Sequence, residues 1–352
     1  MLISTFHLTG SLNRLAFVAI SATFAATACG AVSAEPPTAP QSPPRYRPLV
    51  QQLAGEVSDA RALRHLEALQ KIADRHGGNR ATGTTGYDAS VEYVAGVLRE
   101  TGFKVSTPTY DASGDDADNS GGSQRNVIAQ THTGDTRDVV MIGAHLDSVP
   151  DGPGIVDDGS GVASLLEIAS QLGANPSVKN TVRFAFFGDE ENDGEGSSGY
   201  LEGLSAADRR KIKLYLNVDM VASPNGGYFV QGGRGSDSET AGPAGSAAIG
   251  RVLADQLAKT GVTPELIEFV GDDESPFIED GIPVGGAENG DEDEKTAKQA
   301  KAWGGEAGEP YDPCYHEACD RIDNVNPDVL NHYMGALAGT LAHFATSTDE
   351  LR

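Results

Sequence analysis

Five side chains of this 352-residue chain have the chemistry to hold metal ions: His145, Asp157, Glu191, Asp219 and His316, with Glu190 directly beside the third. Two imidazoles and three carboxylates make a nitrogen- and oxygen-rich donor set suited to two zinc ions that share one bridging carboxylate. Paired ions of that kind activate water and polarise a carbonyl, so the constellation points to a hydrolase.

Such ligands need rigid elements to hold them at fixed separations. His145 follows the apolar run VVMIGA, Glu190 and Glu191 follow VRFAFFGD, and Asp219 closes LYLNV. Each run predicts a strand, which puts these residues at carboxyl ends, where open α/β sheets carry their sites. Asp157 lies in a glycine-rich loop, 152–161, able to fold over the metals, and His316 lies in a loop flanked by Cys314 and Cys319. Short β-branched runs predict strands over 103–105, 126–129, 139–142, 181–187 and 214–218. Leu63, Leu66, Leu69 and Ile72, then Val91, Val94 and Leu98, recur at helical spacing and stop near Gly77 and Gly102, so two amphipathic helices are expected to open the domain. Further helices are expected over 162–172, 244–260 and 328–344. The alternation predicts a single globular α/β domain, a mixed and mostly parallel sheet sandwiched by helices.

A formal charge of −25, from 51 acids against 26 bases, excludes nucleic acid as a partner, because neutralising phosphates needs clustered Lys and Arg. Cationic or metal-bearing partners fit that charge. Residues 1–34 carry one charge, Arg14, followed by an apolar run from Leu15 to Phe24 too short to span a bilayer, and predict a secretory signal. Val32-Ser33-Ala34 matches a cleavage pattern, while Ala26-Thr27-Ala28-Cys29 resembles a bacterial lipobox whose Cys29 would be acylated. The first route gives free secretion and the second a lipid-anchored surface protein. Six prolines in residues 35–48 predict a stiff linker, leaving one domain over 49–352, expected to be a monomer. Cys314 and Cys319 lie close enough to pair in an oxidising compartment, with Cys29 the odd one. A cysteine metal ligand is the alternative; export and the oxygen-rich ligands elsewhere disfavour it.

Seven stretches match a known pattern in order along the chain: GGNRATGTTGYDAS (77–90), GAHLDSVPDGPGIVDDGSG (143–161), RFAFFGDEE (183–191), LNVDM (216–220), GIPVGG (281–286), AKAWGG (300–305) and YDPCYHEACD (311–320). On these motifs the chain resembles the secreted double-zinc aminopeptidases of the aminopeptidase Y type, particularly the leucine-type enzymes secreted by streptomycetes, over nearly the whole domain. The resemblance implies the zinc-dependent exopeptidase fold, two zinc ions per chain, and peptide or protein N-termini as substrates. Position by position, it implies His145 and Asp219 as ligands of one ion, Glu191 and His316 as ligands of the other, and Asp157 as the bridge. It further implies Glu190 as general base, Tyr315 as hydrogen-bond donor to the developing oxyanion, and Asp147 as the group that fixes the His145 imidazole. A disulfide between Cys314 and Cys319 would pre-set Tyr315 and His316, more a positional benefit than a large stability gain.

Substrate preference is where the chain departs from that pattern. Relatives selective for large apolar side chains carry a hydrophobic segment with a phenylalanine after GIPxGG, whereas here Ala287-Glu288-Asn289-Gly290-Asp291-Glu292-Asp293-Glu294 follows. From Glu265 to Glu294 there are twelve acids and no Lys or Arg, and the family's arginine before its SDxxPF element is replaced in Gly271-Asp272-Asp273-Glu274-Ser275-Pro276-Phe277. Met220 matches an apolar pocket position. Glu288 is expected to turn the first-residue pocket towards Lys or Arg by charge pairing, against the alternative of a solvated acidic loop outside the pocket. Asp158 is expected to cap the helix that follows it, and His65, His76, His132, His332 and His343 to be structural or surface residues. Two other functions share the fold: glutaminyl cyclisation with a single zinc, disfavoured by retention of both histidines and three carboxylates, and non-catalytic binding. Structural calcium at Asp115, Asp116 and Asp118 lacks a clear motif, since DASGDDADNSGGSQ reads as a flexible loop.

Overall fold

The structure, a computed structural model, describes residues 48–113, 122–347 and 351. The leader with Cys29, the proline-rich stretch up to residue 47, and Asp115, Asp116 and Asp118 lie outside the described residues.

Ten strands follow in order: β1 (Lys104–Ser106), β2 (Thr109–Ala112), β3 (Gly122–Arg125), β4 (Val127–Gln130), β5 (Asp135–His145), β6 (Asn180–Phe187), β7 (Ile212–Val218), β8 (Phe229–Gln231), β9 (Glu265–Ile267) and β10 (Val284–Glu288). Eight form one sheet in the order β1-β4-β6-β5-β7-β10-β8-β9, while β2 and β3 pair separately. The centre is parallel, β5 lying between β6 and β7 with β10 beyond β7, and antiparallel pairs occur at β1-β4, β4-β6 and β10-β8. Residues 139–145 of β5 are all buried, and so is β6 apart from Arg183. A sheet covered on both faces explains why these strands appear as continuous apolar runs instead of alternating ones.

Alternate residues on the strands feed two layers. Val140, Ile142 and Ala144 join the larger core, with apolar residues of the helices Asp59–Arg75, Thr85–Glu100, Gly159–Leu172, Ser246–Lys259 and Pro327–Thr346. Met141 points the other way, into a smaller core with Phe187, Tyr215 and Phe277. Between them, Gly143 leaves room for a neighbouring ring, since a Cβ there would stand 2.6 Å from the Tyr215 hydroxyl. Asp158 caps Gly159–Leu172 by accepting from the Gly161 N–H, and Asn326 caps Pro327–Thr346 by accepting from Asp328 and Val329.

The expected helices and strands are present, with additions. A helix over Leu49–Glu56 precedes the two expected at the start of the domain; it is eight residues long and buries only Leu53 fully, too little to register as a helical period. The strand β10, VGGAE, was not expected because glycine has low strand preference. Its glycines serve packing: a Cβ on Gly285 would lie 2.4 Å from Ile249, and one on Gly286 2.0 Å from Gln231 Oε1. No helix among the described residues is long and apolar enough to cross a membrane.

Candidate metal centre

The three central parallel strands end side by side, and their ends carry the candidate residues. His145 is the last residue of β5, Asp219 immediately follows β7, and Glu190 and Glu191 lie just beyond β6. Asp157 arrives on the loop between β5 and its helix. His316 arrives on the loop closed by the Cys314–Cys319 disulfide, whose Cα atoms are 5.3 Å apart.

These residues form two triads that share Asp157. Ligand atoms of His145, Asp157 and Asp219 lie within 4.8 Å of one another, as do those of Asp157, Glu191 and His316. His145 Nε2 is 3.0 Å from Asp157 Oδ1 and 3.6 Å from Asp219 Oδ1, while His316 Nε2 is 3.2 Å from Asp157 Oδ2 and 3.0 Å from Glu191 Oε2. The two oxygens of Asp157 therefore face different histidines, the arrangement a bridging carboxylate requires. His145 Nδ1, on the far side of the ring, faces Asp147 Oδ1 at 3.6 Å.

The donor set fits a pair of cations on two grounds. Glu191 Oε1 and Asp219 Oδ1 are buried acceptors without a hydrogen bond, which is costly unless something positive occupies the space between. The electrostatics agree. Burial pushes Glu191 up to about 7, with Asp157 adding repulsion, and burial and Asp219 push Glu190 well above the carboxylate range. Burial opposes charge on the histidines, yet the surrounding carboxylates raise His316 to about 10 and His145 well above its usual value. Asp157, which burial alone would raise, is held well below the carboxylate range by the two imidazoles. The cluster is short of positive charge, and bound metal would supply it while keeping the histidines neutral.

Glu190 belongs to neither shared triad. Its side chain faces Asp219 and Asp272, with ligand atoms of all three within 4.8 Å of one another, and its N–H donates to Asp147 Oδ1 at 3.3 Å. Tyr315 stacks on His316 with ring centroids 3.8 Å apart, and burial raises its phenol. Both line one cleft, together with Met220, Asp272 and Glu288. Met220 and His316 hold φ of +43° and +56°, a region that side chains other than glycine enter rarely and mostly where function requires it.

Glu288 ends β10 inside the cleft, with Oε2 accepting from Gln231 Nε2 at 2.9 Å. Burial, then Asp219 and Asp291, raise it to about 8. A second cleft shares Val270, Glu288, Gly290 and Asp291 with the first. Of the remaining histidines, His65 meets the Tyr93 hydroxyl, His76 that of Thr85, His132 the Gly102 carbonyl and His332 the Tyr228 hydroxyl; none enters the cluster.

Four residues, Asp320, Asn324, Arg80 and Asp272, carry roles that their sequence context does not announce. Asp320 accepts from the N–H groups of Val156 and Asp157 at 2.8 and 3.1 Å, tying the backbone at Asp157 to the disulfide loop. Asn324 donates to Asp312, which in turn accepts from the Cys314 N–H. Arg80, fully buried, donates from its guanidinium to the carbonyls of Leu146, Pro153 and Gly154, shaping the segment between His145 and Asp157. The fourth is Asp272, which lines the cleft with its carboxylate near those of Glu190 and Asp219. Arg80 and Asp320 sit inside motifs visible in the sequence, but only distances show what each side chain holds.

This architecture is that of the zinc-dependent exopeptidases. It superposes on BSAP, a zinc aminopeptidase from Bacillus subtilis, with a TM-score of 0.66 at 16% identity, covering 84% of this chain and 97% of that one. A glutaminyl cyclase from Porphyromonas gingivalis superposes with a TM-score of 0.61 at 20% identity, covering 81% and 98%. At such identities both likenesses concern the fold alone. The model of peptidase family M28 matches residues 126–341, more than half of the chain, and the chain belongs to that family. It is 42% identical over 280 residues to leupeptin-inactivating enzyme 1 of Streptomyces exfoliatus, covering 78% of this chain and 59% of the relative. It is 45% identical over 282 residues to the probable lipoprotein aminopeptidase LpqL of Mycobacterium tuberculosis, covering 77% and 56%. The chain thus spans between half and two thirds of the length of these relatives.

Proposed function

We propose that the chain is an exported zinc-dependent aminopeptidase that hydrolyses the N-terminal residue from peptides at a carboxylate-bridged dizinc centre. The observation that carries this is the pair of triads sharing Asp157, with Glu190 beside them yet outside both. His145 and Asp219 would hold one zinc ion, Glu191 and His316 the other, and Asp157 both. Zinc ions bound there would supply Lewis acidity towards the scissile carbonyl and lower the pKa of water.

The chain's own groups would do the rest. Glu190 takes the proton from the attacking water and returns it to the leaving amine, a role open only to a carboxylate that is not itself a ligand. Tyr315 donates its hydroxyl hydrogen to the oxyanion as it develops. Asp147 keeps the His145 ring oriented. Glu190 and Asp219 also put negative charge where a free α-ammonium would sit, and among the described residues no Lys or Arg lines the cleft to hold a C-terminal carboxylate. Acetylated substrates should therefore not turn over, and unchanged turnover of them would refute exopeptidase action at an amino terminus.

The deciding variant is Glu190→Ala, assayed on aminoacyl anilides with metal analysis alongside. The expected result is a loss on the order of 10²- to 10⁴-fold in kcat with two zinc ions retained. Loss of metal would instead make Glu190 a ligand. A protein that holds one zinc and cyclises N-terminal glutamine would be a glutaminyl cyclase on the same fold.

Glu288, placed in the cleft, supports a preference for Lys or Arg as the first residue, with Met220 as apolar floor. A cationic side chain would restore the ionised form of a carboxyl that burial otherwise keeps protonated. Lys-p-nitroanilide should outpace Leu-p-nitroanilide at low salt; a strong Leu preference sinks the idea. Export follows from the leader and accords with a lipoprotein relative. Cys29 is then the anchor if acylated, and the domain over 49–352 acts as a monomer.

A further inference from the structure

Asp272 sits in the turn Gly271–Ser275, where the chain departs from its family's pattern. The turn is built, not loose. The fully buried Glu274 accepts from the Gly271 N–H at 3.2 Å and from Asn217 Nδ2 at 3.3 Å, and Asn217 in turn accepts from the Tyr215 hydroxyl at 2.8 Å. Asn217 lies on β7, two residues before Asp219. The strand that delivers Asp219 to the cleft therefore also anchors the turn that delivers Asp272. Ser275 N–H closes the turn on the Asp272 carbonyl at 2.9 Å, and among the described residues no hydrogen bond or ion pair reaches the Asp272 carboxylate.

That carboxylate lies in the same cleft as Glu190 and Asp219, with one oxygen from each of the three within 4.8 Å of the others. Three acceptors placed about 2.8 Å from a tetrahedral nitrogen stand roughly 4.6 Å apart, and a primary ammonium has three N–H donors to give them. We infer that Asp272, with Glu190 and Asp219, completes a three-carboxylate receptor for the substrate's α-ammonium that selects primary over secondary amines. The inference rests on the aminopeptidase activity proposed for this site. N-methylated residues and N-terminal proline offer two N–H groups, leave one carboxylate unpaired, and are turned away. A charge-assisted hydrogen bond lost in this way amounts to about 10- to 100-fold in binding.

The test uses the zinc-loaded protein. Wild type should cleave Leu-p-nitroanilide about 10- to 100-fold better, in kcat/KM, than its N-methyl counterpart. Asp272→Asn and Asp272→Ala should raise KM for the primary amine and bring the two substrates within a few-fold of each other, with zinc content and thermal midpoint unchanged. Calorimetric titration with L-leucinol and N-methyl-L-leucinol reads the same preference without turnover. The inference is overturned by unaltered discrimination in the variants, by an effect confined to Lys substrates, which would make Asp272 a side-chain contact, or by a third bound metal ion that the variants lose. A wild type that cleaves no free-amine substrate while still binding L-leucinol through Asp272 would sink the proposed activity and leave the receptor standing.

Discussion

The two walls of the cleft use the same residue types to opposite ends. On one, at the ends of β5, β6 and β7, each carboxylate oxygen of Asp157 faces an imidazole, and Asp320, Arg80 and Asp147 fix the backbone and rings behind. On the other, Asp272, Glu288 and Asp291 line the cleft with Glu274 buried behind Asp272, and among the described residues no Lys or Arg lines it. Burial and mutual repulsion raise Asp272 well above its usual range and Glu274 to about 7. A set of acids interleaved with histidines and locked by deeper partners suits permanent cations. A set of acids alone suits a cation that comes and goes with the substrate.

The sharpest way to break this contrast is at Asp157, the carboxylate common to both triads. Asp157→Ala should remove both zinc ions and reduce turnover by at least about 10³-fold, measured by metal analysis and aminoacyl anilide hydrolysis; two retained ions would show that nothing is bridged. Next in size is Asp320→Ala, which leaves every ligand in place but frees the Val156 and Asp157 N–H groups. Zinc affinity should fall about 10- to 100-fold, the range for groups one step behind the ligands, and competition with a chelator measures it. An unchanged affinity would make the Asp320 network mere packing.

The same contrast explains what the sequence made legible. The metal wall is built on long buried strands, whose apolar runs stand out and whose ends carry His145, Glu191 and Asp219 at readable positions. Cys314 and Cys319 marked the His316 loop in the same way. The acidic wall is carried by β8, β9 and β10, of three, three and five residues, the last containing two glycines. Segments so short show no period, so Glu288 could be suspected from its neighbours but the fold of its segment could not be read. Asp272 stood among adjacent acids, and nothing in their order says that Glu274 turns inwards to anchor the turn while Asp272 faces the cleft. Arg80 was invisible in role because its partners are main-chain carbonyls 66 to 74 residues away, which no sequence pattern encodes.

Smaller effects test the acidic wall. Glu288→Gln keeps the bond to Gln231 in reach while removing the charge, and should cut the Lys-to-Leu ratio in kcat/KM by about 10-fold at low salt, with zinc content unaltered. An unmoved ratio would return Glu288 to a structural role. The weakest effect is on stability. Burial raises Glu274 from 4.5 to about 7 and Glu288 from 4.5 to about 8, so the folded protein binds protons there that the unfolded chain has released. Their contribution is fully present below about pH 4.5 and is lost as pH rises through 7 and 8. The thermal midpoint of the substrate-free protein should therefore fall across that window, and Glu288→Gln, which removes one of the titrating groups, should flatten the fall. A cationic amine in the cleft should flatten it too, because it favours the ionised carboxylates. If the slope were unchanged by either, the wall would be solvated, and the division between a wall for resident ions and a wall for a transient ammonium would collapse.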